Sequence, residues 1–274
     1  MSGTPNVRNV LFKQAKALPS ERVAVLLSAG IDSASVLFAL LEAGKQVTAY
    51  SFALAGWASS DFMGAMRIAK TFGVPFTPVR LPTDTATLQR DCLRLAREFS
   101  CSRKTQFECF WPMLYAYAAT TESVVASGMG ADGHFCISKK GMIHYRDRID
   151  DFRRSLYADE NYAQRPQHEK IAASLDKTCW LPYLSEDMRS EFLGTTWDQV
   201  NRPKQKQSIL AAFPERFTRM RVRPHINLQL GDSRIAEHFE TLLRSSWGIT
   251  LNYPASIVSV YNALARGELS PCVS

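Results

Sequence analysis

Ser28-Ala29-Gly30-Ile31-Asp32-Ser33 stands between an apolar run, Val23-Ala-Val-Leu-Leu27, and a helical pattern that begins at Ser33. A loop between a strand and a helix offers backbone N–H groups and the positive end of the helix dipole to a phosphate. Gly30 lets the backbone approach a ligand closely, Ser28 and Ser33 add hydroxyl donors, and Asp32 can hold a magnesium ion that bridges phosphate oxygens. One hundred residues later, Asp132 lies in Ser127-Gly-Met-Gly-Ala-Asp-Gly-His-Phe135, after another apolar run. Two aspartates at two strand ends can share a metal, which would neutralise charge developing on a departing pyrophosphate. Each alone also reads as an ordinary helix cap.

A second group is basic. Arg202, Lys204, Lys206, Arg216, Arg219, Arg221 and Arg223 face Glu215 alone, a net +6 within 22 residues. Cations poised at a leaving group lower the barrier, and arginine can do so bidentately. Any one of these, Lys204 and Lys206 included, can fill that role; a solvated face is the competing reading. His134, beside the Asp132 loop, and His225, in the basic segment, are acid–base candidates, though a histidine without a visible partner is more often structural. The six cysteines contain no Cys-x-x-Cys pair and read as buried thiols rather than cluster ligands.

Residues so far apart meet only if a sheet brings their strand ends to one crevice. From Arg22 to Phe135 short apolar runs alternate with amphipathic ones, as βαβ units do. Strands are expected at Val23–Leu27, Gln46–Leu54, Phe76–Leu81 and Ser123–Ser127, and helices at Ser33–Ala43, Ser60–Thr71, Thr85–Phe99 and Phe110–Thr121. Beyond them the spacing is helical over Asp151–Tyr157, Ser185–Leu193, Lys204–Ala212, Ile235–Arg244 and Ala255–Ala265. Cys136–Arg146 reads as a hairpin turning at Lys140-Gly141, the one strand-like feature after the sheet.

The Ser-x-Gly-x-Asp-Ser pattern resembles the PP-loop of the ATP pyrophosphatases. Leu26–Ser33, Tyr50–Leu54 and Ser127–Phe135 together resemble, in order, three segments of the synthetase domain of asparagine synthetase and β-lactam synthetase. Trp180-Leu-Pro-Tyr-Leu184 and Arg221-Val-Arg-Pro-His225 match that family more weakly. The resemblance implies an α/β fold, a parallel twisted sheet of the PP-loop type with a helical C-terminal subdomain. The division it suggests is an N-terminal extension (1–21), an ATP-binding α/β domain (22–148) and a mostly helical portion packed on it (149–274).

For the site, the resemblance implies that Ser28, Gly30, Asp32 and Ser33 hold the pyrophosphate end of ATP. Leu26 and Leu54 would line the adenine through backbone contacts, and Ser127 and Gly128 would lie near the ribose and α-phosphate. Asp32 and Asp132 would bind Mg2+, and Arg223 stands where a lysine contacts the pyrophosphate. The chain departs from the family at Met129 and Gly133, where acids are usual, at Trp180, where arginine is usual, and at Ala29. Aspartate as the acyl substrate becomes doubtful on these grounds, and the glutaminase domain that liberates ammonia has no counterpart.

The 274 residues are 46% hydrophobic and 22% charged, which excludes disorder and fibrous architectures for the whole chain. Basic residues outnumber acidic ones by 33 to 26, for a formal charge of +7 that suits an anionic partner. The longest apolar runs are too short to cross a bilayer, and the polar N-terminus lacks a secretory core. The expectation is a cytoplasmic enzyme with reduced thiols. It would use ATP to adenylate a small-molecule or peptide carboxylate and pass the acyl group to an amine, or to ammonia from a separate subunit. Two alternatives stand beside it: modification of a base in tRNA or DNA, and a nucleotide-binding subunit whose catalysis is lost.

Overall fold

Val23, Ala24 and Val25 are fully buried, and a strand apolar on both faces belongs inside a parallel sheet covered by helices. It forms the middle of the architecture. The structure, a computed structural model, describes residues 4–220 and 232–246, together with 262, 263 and 266. Arg221, Arg223, His225, Cys272 and most of the helix expected at 255–265 lie outside the described residues.

Helix α1 (Val7–Ala17) leads into β1 (Arg22–Leu26), α2 (Ile31–Glu42), β2 (Gln46–Leu54), α3 (Ser60–Thr71) and β3 (Phe76–Leu81). Two helices, α4 (Thr85–Arg97) and α5 (Lys104–Ala119), precede β4 (Val124–Ser127). Then come α6 (Lys139–Tyr145), α7 (Ile149–Tyr157), α8 (Arg165–Ala173) and β5 (Thr178–Trp180). The remaining helices are α9 (Glu186–Phe192), α10 (Trp197–Asn201), α11 (Gln207–Ala212), α12 (Pro214–Phe217) and α13 (Ile235–Ser246).

The five strands lie in the order β3-β2-β1-β4-β5, all pairs parallel. β1 sits at the centre, with Leu26 opposite both Tyr50 of β2 and Ser127 of β4. One face of the sheet carries Val23, Val25 and Ala49 against residues of α1, α2, α3 and α11. The other carries Ala24, Tyr50 and Leu54 against α4, α5, α8 and α13. This alternation along single strands, with each face buried, gives two apolar layers and leaves the carboxyl edge open for the loops. No described helix is long and apolar enough to cross a membrane.

Three expectations change. Cys136–Arg146 is no hairpin: the Ser138 hydroxyl accepts the Gly141 N–H at 3.0 Å and starts α6, so the Lys-Gly pair lies inside a helix. A serine three residues ahead of a glycine is here an N-cap, and it overrides the turn signal. Thr178–Trp180 adds a fifth strand that a three-residue, half-exposed edge gives no period to reveal. The segment before β1 is a helix capped by Asn6, with Val7, Val10, Leu11 and Ala15 buried.

Candidate active site

The crevice at the carboxyl edge of the sheet is a cavity of about 500 Å3. β1 ends beneath it and α2 starts in it, with Gly30 as the N-cap and no side chain capping the helix. The orphan N–H groups of a first turn are left to a ligand by that arrangement, and the dipole favours an anion there. Ser28 and Ser33 face one another across the loop: their hydroxyls are 3.0 Å apart, Ser28 N–H donates to Ser33 Oγ at 3.1 Å, and Gly30 N–H donates to Ser28 Oγ at 3.1 Å. The loop is thus shaped before any phosphate arrives.

β4 brings the second strand end against the first. A Cβ on Gly128 would lie 2.6 Å from Asp32 C and from Ser33 N, so only glycine permits this approach. The backbone then turns through Gly130 at φ +90° and presents Asp132. Leu184 fills the space beside Gly130, and the neighbouring Tyr183 hydroxyl is 2.6 Å from Ser35 Oγ on α2. The Trp180–Leu184 segment therefore braces the Asp132 loop from the far side.

Lys206 closes the constellation. Its ammonium lies 2.5 Å from Asp32 Oδ2 and 2.5 Å from Asp132 Oδ1, and the residue is only 4% exposed. Burial alone would push this lysine down, but the two carboxylates hold it above its ordinary value. Lys206 takes a left-handed backbone at φ +59°, and its N–H is held by Asn201 Oδ1 at 3.1 Å. Asn201 in turn donates to Phe135 O at 2.9 Å, so one side chain ties the lysine turn to the Asp132 loop.

The pair of carboxylates fits a divalent ion. Their oxygens already converge on a point occupied by a positive charge, and hard oxygen donors suit magnesium. Among the described residues no third acidic, cysteine or histidine ligand joins them. Mg2+ is commonly held by one or two carboxylates with the rest of its shell from phosphates and water, which matches this set.

Leu26, Ser28, Gly30, Asp32, Ser33, Ser127, Gly128, Asp132, Lys204 and Lys206 all border the cavity. Leu54 does not. It is 6% exposed and sits in the core layer beneath, paired with Leu81 of β3. Tyr50 and Phe52, on the same face of β2, border the cavity in its place. Period-2 spacing in β2 put all three on one face; the depth of each was not readable. Arg223 lies outside the described residues. Sequence reasoning missed Met113 and His168, which also border the cavity; α5 and α8 carry them, and nothing in their spacing distinguishes them from core.

One of the departures from the family pattern, Gly133, makes room for a neighbouring side chain. The space above Gly133 is filled by the Tyr162 ring and hydroxyl, and that hydroxyl donates to Gly130 O at 3.1 Å. Met129, another departure, borders the cavity. His134 is fully buried against Tyr183 O and the Tyr157 hydroxyl. Burial holds it down to about 3, which makes it a neutral brace rather than an acid–base group. Cys92, Cys101 and Cys136 are buried free thiols, and burial pushes each of them up.

A parallel α/β sheet with a Ser-x-Gly-x-Asp-Ser loop at its central strand end, and an acidic pair beside it, is the architecture of the PP-loop class. The profile of the asparagine synthase family matches residues 14–207, well over half of the chain, and the chain belongs to that family. No curated protein matches it. The family is one of ATP-dependent adenylating ligases that form AMP and pyrophosphate.

Proposed function

We propose that the protein activates a carboxylate with ATP and transfers the acyl group to nitrogen. A carboxylate oxygen attacks the α-phosphorus, the bond from that phosphorus to the pyrophosphate oxygen breaks, and an acyl adenylate results. An amine or ammonia nitrogen then attacks the acyl carbon, AMP departs, and the surplus proton on nitrogen passes to solvent. The observation that supports this reading is the convergence of the Ser28–Ser33 loop, Asp32, Asp132 and Lys206 on one cavity.

In this reading Ser28, Ser33 and the first turn of α2 bind the pyrophosphate, where fixed dipoles need no reorganisation as charge develops. Lys206 supplies a buried cation beside it and Lys204 a second at the rim. Leu26, Tyr50, Phe52 and Met113 take the base, whose flat apolar faces suit aromatic and aliphatic walls. Ser127 and Gly128 lie at the ribose and α-phosphate. Asp32 and Asp132 would hold Mg2+, which when bound neutralises phosphate charge. Reactants fixed in line at one strand edge need not find each other in solution, which supplies much of the rate.

Incubation with ATP, Mg2+ and a panel of carboxylic acids and amines should release AMP and pyrophosphate in equal amounts. ADP and phosphate as the only products would sink the proposal. Asp32→Asn should abolish product formation while leaving the circular dichroism spectrum intact. ATP binding without AMP formation under any acceptor would leave a nucleotide-binding module instead of an enzyme.

A further inference from the structure

Arg153, on α7, has a side chain with no exposed surface. Taking a guanidinium out of water is costly unless its N–H groups find acceptors, and here each of the three nitrogens has one. Nε and Nη2 both donate to His134 O, at 3.0 and 2.8 Å. Nη1, with two hydrogens, is 2.6 Å from Phe192 O, 2.9 Å from Thr195 O and 2.8 Å from Asp150 Oδ1. The second Asp150 oxygen accepts the Gly194 N–H at 2.7 Å, so carboxylate and guanidinium grip the same turn. The Phe192 ring lies 5.6 Å from the guanidinium and stacks on the His134 ring.

The three carbonyls belong to the two segments that carry the site. His134 closes the short turn Ala131–His134 that presents Asp132. Phe192 ends α9, and Thr195 precedes Thr196, whose side chain caps α10. At the far end of α10 stands Asn201, whose amide donates to Phe135 O at 2.9 Å and accepts the Lys206 N–H at 3.1 Å. The Asp132 loop is therefore pinned at two successive carbonyls, His134 by α7 and Phe135 by α10, and Arg153 ties α7 to the start of the helix whose end sets Lys206. The Ser28–Ser33 loop is shaped differently, by its own hydroxyls. Apolar side chains could fill the space of Arg153 without the desolvation cost. They could not hold three carbonyls from two chain segments at fixed distances.

Resting on the ATP and Mg2+ site proposed above, we infer that Arg153 is a positioning residue for the metal-bound nucleotide. Through the His134 carbonyl it holds Asp132, and through the Thr195 carbonyl the helix that leads to Lys206, at the spacing where Asp32, Asp132 and one cation converge. Because it acts through these groups, it governs the metal-dependent part of nucleotide binding and leaves the part made by the Ser28–Ser33 loop alone.

Calorimetric titration with α,β-methylene-ATP, whose α–β bridge resists cleavage, tests this in EDTA and in Mn2+. The quantity read is the ratio of the two affinities, measured well below the melting temperature of each variant. Arg153→Met should reduce that ratio by about tenfold or more, as loss of a group that orients a metal ligand from behind commonly does, and change the metal-free affinity by less than about twofold. Arg153→Lys, whose ammonium can serve one segment but not both, should recover part of the loss. Should Arg153→Met not fold, Asp150→Asn, of the same shape at a partly exposed position, should lower the same ratio to a smaller degree. An unchanged ratio in the folded variants, or an equal loss with and without Mn2+, would mean that Arg153 supports the fold alone and would overturn the inference. A wild-type protein that binds the analogue with no gain from Mn2+ would overturn the metal reading along with it. No acid is present in the titration, so its outcome is separate from whether AMP forms, and the adenylation reading can fail without it.

Discussion

Lys206 occupies a position with two uses. Its ammonium stands between Asp32 and Asp132, the same oxygens that suit a metal, and it borders the space where phosphates would lie. Removing it takes away a cation at the leaving group and also removes a like charge from the metal site. Lys206→Met should therefore lower kcat by about 100-fold or more, as loss of one preorganised stabilising group does. The same variant should bind Mn2+ about tenfold more tightly without nucleotide, since a like charge a few ångströms away is worth roughly 1–4 kcal/mol at effective dielectric constants between 80 and 20. Mn2+ titration followed by electron paramagnetic resonance reads the second effect; a weaker or equal affinity would show that the lysine does not compete with the metal. Asp32 and Asp132 were legible in the sequence because short side chains stay where their strand ends put them. That Lys206 would reach both carboxylates was not, because a long side chain goes where its backbone turn sends it. Here a left-handed residue anchored by Asn201 makes that decision.

At the scale of elements, the site is two strand ends pressed together by glycines and braced from behind. Gly128→Ala would set a methyl 2.6 Å from backbone atoms of Asp32 and Ser33. Backbone cannot swing aside as a side chain can, so α2 and the β4 loop must part, at a cost of about 1–3 kcal/mol typical of overpacking. ATP affinity should drop with stability, and calorimetric titration beside thermal denaturation would measure both. Gly133→Ala meets a side chain instead, the Tyr162 ring. It should destabilise by a similar amount in the wild-type background and by only a fraction of it in Tyr162→Ala, because the two positions share one space. Equal losses in both backgrounds would mean that Tyr162 is not the obstacle. β2, α3 and β3 were readable to the residue, since period-2 and period-3.6 patterns ran cleanly between glycine and proline stops. β5 and α6 were not: three residues at an edge show no period, and a cap serine three positions before glycine looks like a turn. α1 carried a legible pattern in Val7, Val10, Leu11 and Ala15, and its distance from the motif-bearing half hid it.

Over the whole molecule, the basic excess divides among several tasks. Of the cluster from Arg202 to Arg223, Lys204 and Lys206 border the cavity. Arg216 lies over the Phe38 ring at 5.5 Å, Arg219 lies over Phe72 at 4.8 Å and donates to Thr71 O, and Arg202 is beside Asp198 and Trp197. Charge density along a chain marks a segment, then, and the fold decides which of its charges faces the site. Burial of two histidines makes a different property global. His134 is held down to about 3 and His168 to about 4, in each case first by burial. The unfolded chain takes up these protons near pH 6.5, while the folded one refuses them until much lower. Between those limits the unfolded state binds more protons, so stability must fall as the pH drops below about 6.5 and level off under about 3. At pH 5 each histidine should have cost about 2 kcal/mol, a large share of a typical 5–15 kcal/mol. Urea denaturation at pH 7.5 and pH 5 would measure the combined loss, and His168→Phe should reduce it by about half, because phenylalanine has no proton to gain. An equal pH dependence in that variant would mean that His168 is protonated in the fold at pH 5.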